Sequence, residues 1–90
     1  MKVEWEPRAQ RDLTAILDYI VKDSPAGAAR VHEQILHSVS FLVDWPDMGR
    51  QGTRRNLREL VIPRTPYVVI YRHAATLVSI VRVIHGKRLR

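Results

Sequence analysis

The chain has 90 residues, a formal net charge of +6 and no cysteine. This length predicts a single domain spanning residues 1–90, and the missing thiols exclude a disulfide framework and a cysteine-ligated metal site. No run approaches the roughly 18 apolar residues of a membrane span, and "MKVEWEPR" lacks the apolar core of a signal peptide. We therefore expect a cytoplasmic protein without membrane contact. The four histidines are scattered, so we expect no metal and no cofactor.

Charge is distributed unevenly between the two halves of the chain. Residues 1–49 carry five Lys/Arg against eight Asp/Glu, which is −3, whereas residues 50–90 carry ten Lys/Arg against Glu59 alone, which is +9. A surface with this excess of cations is suited to a negative partner, either a nucleic acid or an acidic protein.

The first half of the chain predicts a strand followed by two helices. "KVEW" at residues 2–5 alternates between apolar and polar side chains, as a half-buried strand does. Residues 7–22 predict an amphipathic helix that Pro7 can begin without losing a needed N–H group. Its apolar positions are Ala9, Leu13, Ile16, Leu17, Ile20 and Val21.

A second helix is predicted after Ser24, a suitable N-cap, with Pro25 as its first residue. The link between the helices is short, which predicts an antiparallel helical hairpin. The apolar stripe of this helix consists of Ala28, Val31, Ile35, Val39 and Leu42, widened by Leu36 and Val43.

The second half predicts a three-stranded antiparallel β-meander after a loop at "PDMGRQGT". The strand runs are "RNLRELVIP", "PYVVIYRH" and "TLVSIVRVIH", and the short links "RTP" and "AAT" suit only antiparallel neighbours. The predicted fold class is therefore α+β. In the last strand, strict alternation places Val78, Ile80 and Ile84 on one face and Leu77, Val81 and Val83 on the other. Either the strands curl around a compact core, or a partner covers the second face.

Three stretches together resemble the RelE/ParE superfamily, the toxins of bacterial type II toxin–antitoxin operons. They are "WEPRAQRDLTAILDYI" (residues 5–20), "WPDMGRQGTRRNLRELVIPRTPYVVIYR" (45–72) and "VRVIHGKR" (81–88). The resemblance covers the whole length and includes the order of the predicted elements. It implies a compact α+β toxin that is held inactive by a cognate acidic antitoxin encoded next to it. It leaves two targets open, because RelE-like members cut messenger RNA on the ribosome and ParE-like members poison DNA gyrase.

A nuclease would need a base for the 2′-hydroxyl and cations at the phosphate. His85 is the candidate base, with Arg88 and Arg72 at the phosphate. In RelE-like nucleases the strand similar to "PYVVIY" carries an arginine that contributes to the chemistry, and here that position is Val68. ParE-like chains commonly have an apolar residue there, which favours a gyrase-poisoning toxin without chemistry of its own. In that case we expect His85 to end a strand and to hydrogen-bond a neighbouring backbone carbonyl.

The remaining polar and aromatic residues supply further expectations. A basic surface for antitoxin or target is predicted from Arg54, Arg55, Arg64, Arg72, Lys87, Arg88 and Arg90. Glu59 is expected to pair with an arginine of the meander other than Arg58. The neighbours Tyr71 and Arg72 are a possible nucleic-acid contact. Core or core-edge positions are expected for Trp5, Tyr19, Phe41, Trp45 and Tyr67.

Overall fold

Two helices and five strands make up the fold in a computed structural model that describes residues 1–89. In chain order they are β1 (Lys2–Trp5), α1 (Pro7–Val21), α2 (Pro25–Ser40), β2 (Arg50–Gln51), β3 (Arg58–Val61), β4 (Tyr67–Ala74) and β5 (Leu77–His85). One-turn 3₁₀ helices follow α2 at Phe41–Val43 and β5 at Gly86–Arg88. The predicted α+β class is confirmed, with its N-terminal strand, helical hairpin and meander.

Both helices begin where the sequence predicts. Pro7 and Pro25 occupy the first turns of their helices, and the Ser24 side chain accepts a hydrogen bond from the Gly27 N–H at 2.9 Å. This bond satisfies one of the backbone donors that every helix leaves unpaired at its start. Among residues 1–89, no helix is long and apolar enough to cross a membrane.

The sheet has the strand order β1-β5-β4-β3-β2. β1 is parallel to β5, and all other neighbouring strands are antiparallel, so the first strand of the chain lies beside the last. The predicted loop at "PDMGRQGT" is wrong at Arg50 and Gln51, which pair with Glu59 and Arg58 as the edge strand β2. β2 has only two residues, which is too short for an alternating pattern to be recognised in the sequence.

A β-bulge at Val81 changes the facing predicted for β5. Ile70 pairs with Arg82 and Tyr71 with Ile80, so Val81 is the extra residue. The prediction that Val83 lies opposite Val78 and Ile80 is therefore wrong, because the extra residue turns Val83 to their side, where it is buried. Ile84 is correspondingly turned to the other face.

The main core lies between the helices and one face of the sheet. Its fully or nearly fully buried members are Ala9, Ile35, Val39, Leu42, Leu60, Ile62, Val69, Tyr71, Val78, Ile80 and Val83. The predicted members Leu36 and Val43 of the α2 stripe are exposed, since each follows a buried neighbour by one position and so points about 100° away from it.

Two apolar residues on the second face of the sheet, Val68 and Ile70, are also buried. Val68 is 3% exposed, and the 3₁₀ turn passes close to it, since a Cβ on Gly86 would stand 3.8 Å from the Val68 side chain. Ile70 is 9% exposed and lines a depression together with Leu57 and Leu89. Neither explanation left open by the sequence is confirmed for the whole face, because the terminal turn covers Val68 while its cross-strand partner Val61 is 52% exposed.

Three of the five aromatic predictions are wrong. Trp5 and Tyr67 are half-buried against the core as expected, but Tyr19 is 72%, Trp45 61% and Phe41 40% exposed. Phe41 and Trp45 flank the buried Leu42 in a tight turn, which directs their rings outward. The chain therefore presents large aromatic surface where burial was expected.

Candidate functional site

A cleft of about 540 Å³ lies on the second face of the sheet, opposite the main core. Glu59 and Ile70 contribute to its floor, because they are cross-strand partners on that face. Arg54 comes from the loop after β2, which the Gly52 N–H closes by donating to the Leu57 carbonyl at 2.8 Å. We call this depression the sheet cleft; its lining residues are Glu6, Arg8, Gly52, Thr53, Arg54, Leu57, Glu59, Ile70, Val81, Arg82 and Leu89.

Glu59, which lines this cleft, pairs with an arginine, but the prediction of a partner from the meander is wrong. The Arg50 Nε donates to Glu59 Oε1 at 2.9 Å, although the partner comes from β2 and not from the predicted meander. The Glu59 side chain is only 10% exposed, whereas that of Arg50 is largely exposed. This pair removes one positive charge from the basic half of the chain as a candidate for partner binding.

Two further arginines are neutralised at the side of the sheet. Arg72 donates to Glu6 at 2.8 Å, and the Arg82 Nε donates to Asp12 at 2.7 Å. The same Asp12 oxygen accepts the Val83 N–H at 3.0 Å, on the stretch of β5 that β1 no longer covers. Within residues 1–89, Arg8 and Arg54 have no ion-pair partner, so these two cations supply the uncompensated charge of the sheet cleft.

A second groove, of about 440 Å³, runs between α1 and the end of β5. It brings together His85 and Arg88, two members of the predicted nuclease set, with Ile16, Tyr19 and Tyr67 as apolar walls. We call it the α1–β5 groove. Asp12 lines the groove as well, so the groove carries both an acidic and a basic side chain.

The third member of that set, Arg72, lies elsewhere. His85 pairs with Tyr67 in the sheet, and Arg72 is five residues further along β4. That spacing is about 17 Å, and its odd number places Arg72 on the opposite face. The structure therefore brings His85 and Arg88 together but does not bring Arg72 to them.

The His85 ring makes a local backbone contact. Its Nδ1 accepts the Lys87 N–H at 3.2 Å, which caps the terminal 3₁₀ turn, and the ring meets Tyr67 edge-on with centroids 5.8 Å apart. The backbone bond was expected, but its partner is an N–H and not a carbonyl. A neutral imidazole has one nitrogen that accepts, and here that nitrogen is already used.

The predicted basic surface divides into separate groups. Arg54 and Arg55 lie in the loop after β2, and Arg64 lies in the β3–β4 turn with a long contact of 3.4 Å to Gln34 of α2. Lys87 and Arg88 are exposed in the terminal 3₁₀ turn, and Arg90 lies outside the described residues. Because β4 begins beside the end of β5, Arg64 is at the same end of the sheet as Lys87 and Arg88.

Arg8 is a cleft residue that the sequence did not indicate. Arg8 is the second residue of α1, a helix that contains equal numbers of acidic and basic residues. Only the parallel pairing of β1 with β5 brings it to the second face of the sheet. No signal in the sequence marks it. Among residues 1–89, no group of three His, Asp or Glu side chains is placed to hold a metal.

Tyr71 cannot serve as a nucleic-acid contact, which corrects that expectation for the Tyr71–Arg72 pair. Its side chain is fully buried, and neighbouring residues of a strand face opposite ways. Its hydroxyl donates to the Pro46 carbonyl at 2.7 Å and accepts the Gly49 N–H at 2.9 Å. Burial raises the pKa of Tyr71 above its ordinary value, opposed by the Gly49 hydrogen bond and the charge of Arg58. Tyr71 is an anchor for the loop before β2.

Residues 3–90 match the family model described as the ParE toxin of the type II toxin–antitoxin system parDE. The chain belongs to the ParE toxin family. This ParE toxin is 44% identical over 88 residues to Toxin RelE2 of Caulobacter vibrioides, covering 98% of each chain. It is 40% identical over 85 residues to the Putative toxin Y4kP of Sinorhizobium fredii, covering 94% of this chain and 88% of the relative.

A solved structure has the same fold as this ParE toxin. It is titled the chromosomal ParDE TA system from P. aeruginosa, with a TM-score of 0.83 and 28% identity over 94% of this chain and 95% of that one. Relatives with both RelE and ParE names therefore match over nearly the full length. The family membership confirms the toxin identity expected from the three sequence stretches and implies a cognate antitoxin. The names alone do not separate the two possible targets.

Proposed function

We propose that this ParE toxin arrests growth by binding DNA gyrase and stalling it on cleaved DNA, without catalysis of its own. The observation that carries the proposal is Val68. It occupies the position of a chemically important arginine in the nucleases that the chain resembles, and it is 3% exposed beneath the chain's own terminal turn. A phosphate-binding group at this position is therefore absent, and the surroundings are apolar.

Two features of the other nuclease candidates support the same conclusion. Arg72 is about 17 Å from His85 along β4 and faces the other way. The accepting nitrogen of His85 is engaged by the Lys87 N–H at 3.2 Å, so His85 would have to give up this hydrogen bond before taking a proton from a hydroxyl. An assembled base and phosphate clamp is what RNA cleavage would need.

Gyrase supercoiling measured beside translation-coupled cleavage of messenger RNA tests the proposal. Purified toxin is expected to inhibit supercoiling and to accumulate cleaved DNA, while messenger RNA stays intact. Untouched supercoiling together with depleted messenger RNA would overturn the proposal.

The alternative is a ribosome-dependent RNA endonuclease with His85 as base and Arg88 at the phosphate. It is favoured by one observation, the shared position of these two residues in the α1–β5 groove. This alternative predicts that His85→Ala abolishes toxicity and leaves antitoxin affinity nearly unchanged. A His85→Ala variant that still arrests growth would exclude it.

For the antitoxin we propose an acidic segment that crosses the exposed side of the meander at the sheet cleft. Arg8 and Arg54 provide the positive charge there, and both side chains belong to exposed residues. Charges at the rim of an interface mainly accelerate encounter, so added salt should slow association more than it speeds dissociation.

Association kinetics at low and high NaCl test this surface. Arg54→Ala is expected to slow association severalfold at low salt, and the difference should shrink as salt is added. Arg30→Ala is the matched control, because Arg30 is an exposed arginine on α2, away from the cleft. Equal effects of the two substitutions, or rates insensitive to NaCl, would contradict the assignment.

A further inference from the structure

The turn after α2 carries an exposed apolar depression that the sheet cleft and the α1–β5 groove do not use. Trp45 and Met48 are 61% and 49% exposed, and with Phe41 and Pro46 they line about 430 Å³ of concave surface. Asp44 and Asp47 are its charged lining residues. We call this depression the Trp45 surface.

Contacts from the protein interior hold this segment in place. The Tyr71 hydroxyl binds Pro46 and Gly49, and the Arg58 guanidinium donates to the Gly49 carbonyl at 2.8 Å and the Asp47 carbonyl at 3.2 Å. A Cβ on Gly49 would stand 2.7 Å from the Tyr71 ring, so the backbone passes as close as glycine permits. A surface ordered before binding loses less conformational entropy when a partner arrives.

The Trp45 surface is on the helix side of the sheet, opposite the sheet cleft. Arg58 of β3 and Tyr71 and His73 of β4 contact its segment. Glu59 and Ile70 are their neighbours along the same strands and therefore point to the opposite face, where they line the sheet cleft. His73 is six residues from Tyr67 on β4, about 20 Å. That distance separates the surface from His85 and the α1–β5 groove.

Charge identifies the kind of occupant. Asp44 is exposed and has no ion-pair partner within residues 1–89, and Asp47 keeps a largely exposed carboxylate despite its contacts with Arg58 and His73. A second copy placed across a two-fold axis would bring like charges together, and so would an acidic antitoxin segment. The complementary occupant presents an apolar side chain beside a lysine or arginine.

We propose that the Trp45 surface docks the toxin's target protein through an apolar side chain flanked by a cation. The identity of that target as gyrase rests on the proposed function; the surface and its chemistry rest on the contacts above. Exposed tryptophan is among the residues that most often dominate binding energy when a partner buries them. Trp45 is accordingly the central contact, with Asp44 selecting the cation.

Binding of the full-length toxin to immobilised purified gyrase tests the proposal. Trp45→Ala is expected to weaken binding by at least about tenfold. Asp44→Lys is expected to weaken it as well, and high NaCl should reduce the difference between Asp44→Lys and wild type. Tyr19→Ala is the matched control, since it removes an equally exposed aromatic ring from α1 and should leave gyrase affinity unchanged. Unfolding midpoints and antitoxin binding of all variants should match wild type.

The outcomes separate the two proposals. If wild-type toxin does not bind gyrase, the proposed function and the target assignment are both wrong. If wild type binds and Trp45→Ala binds equally well, the proposed function stands and the docking inference is wrong. Sedimentation of the free toxin tests whether a second copy of the chain occupies the Trp45 surface. A dimer that Trp45→Ala dissociates would assign the surface to a second copy and overturn the inference.

Discussion

Tyr71→Phe removes a single oxygen atom and is expected to destabilise the fold substantially. The hydroxyl is the only atom lost, and its two hydrogen bonds, to Pro46 and from Gly49, join β4 to a loop more than twenty residues earlier. Gly49 is buried, so its N–H is left without a partner, at a cost of about 1–3 kcal/mol. The half-buried Pro46 carbonyl can reach water and adds about 0.5–1 kcal/mol. Together these give about 1.5–4 kcal/mol.

Urea denaturation followed by circular dichroism measures this change in free energy. In thermal denaturation, a domain of this size should lose about 6–32 °C in Tm. Tyr67→Phe is the control, because Tyr67 lies four residues earlier on the same strand and face and its hydroxyl has no hydrogen-bond partner within residues 1–89. Its effect should stay within about 0.5 kcal/mol. If the two substitutions destabilise equally, the anchoring role assigned to the Tyr71 hydroxyl is wrong.

The pKa of Tyr71 supplies an independent test of the burial of this hydroxyl. Burial raises this pKa above the ordinary value of 10.0. As the pH rises from that value towards the folded-state pKa, the unfolded chain loses a proton that the folded chain retains. The free energy of unfolding should therefore fall as the pH rises above about 10, and Tyr71→Phe should lack this contribution. A wild-type and a Tyr71→Phe curve that remain parallel through this range would contradict the assignment.

Two further predictions concern stability at the edge and the end of the sheet. Asp12→Ala leaves the half-buried Arg82 and a β5 backbone N–H without their acceptor and should lower the free energy of unfolding by about 2–3 kcal/mol. The control Asp18→Ala, at an exposed position of the same helix, should lower it by less than about 0.5 kcal/mol. Equal losses in urea denaturation would refute this. Ala75 has φ 50° in the β4–β5 turn, so Ala75→Gly should stabilise by about 0.5 kcal/mol, while Ala74→Gly in the strand should destabilise by about 0.5–1. Thermal unfolding that ranks these two variants in the reverse order would contradict the strain assigned to Ala75.

Local features of the fold were predictable because they depend on neighbouring residues. Ser24 with Pro25 predicts the start of α2, and the capping bond is made as expected. The "AAT" link predicts adjacent antiparallel strands, since a short connection permits no other arrangement. The burial of Ala28, Ile35 and Val39 follows from helical spacing.

Long-range features were not predictable in the same way. The bulge at Val81 leaves no mark in a strand that is apolar at nearly every position, yet it reverses the facing of Val83 and Ile84. The exposure of Trp45 was not predictable either. Its ring is apolar, which favours burial, and nothing in the sequence of a turn indicates whether a side chain points inward or outward. Both depend on how separate elements pack.

The candidate sites show the same division. Charge counting assigned the positive surface to the second half of the chain, but Glu6, Asp12 and Glu59 neutralise three of its arginines, while Arg8 enters the cleft from the first half. Which charges remain available is a property of contacts between residues far apart in the sequence.

By itself, the sequence determined the α+β class, the helical hairpin, the meander and the toxin family, because periodicity, turn chemistry and motif spacing are local properties. Only the tertiary structure decided that His85 and Arg72 lie apart, that Val68 is covered, and that Trp45 faces outward. These outcomes depend on strand register and on the pairing of the first strand with the last, which bring distant residues together through packing that no local pattern records.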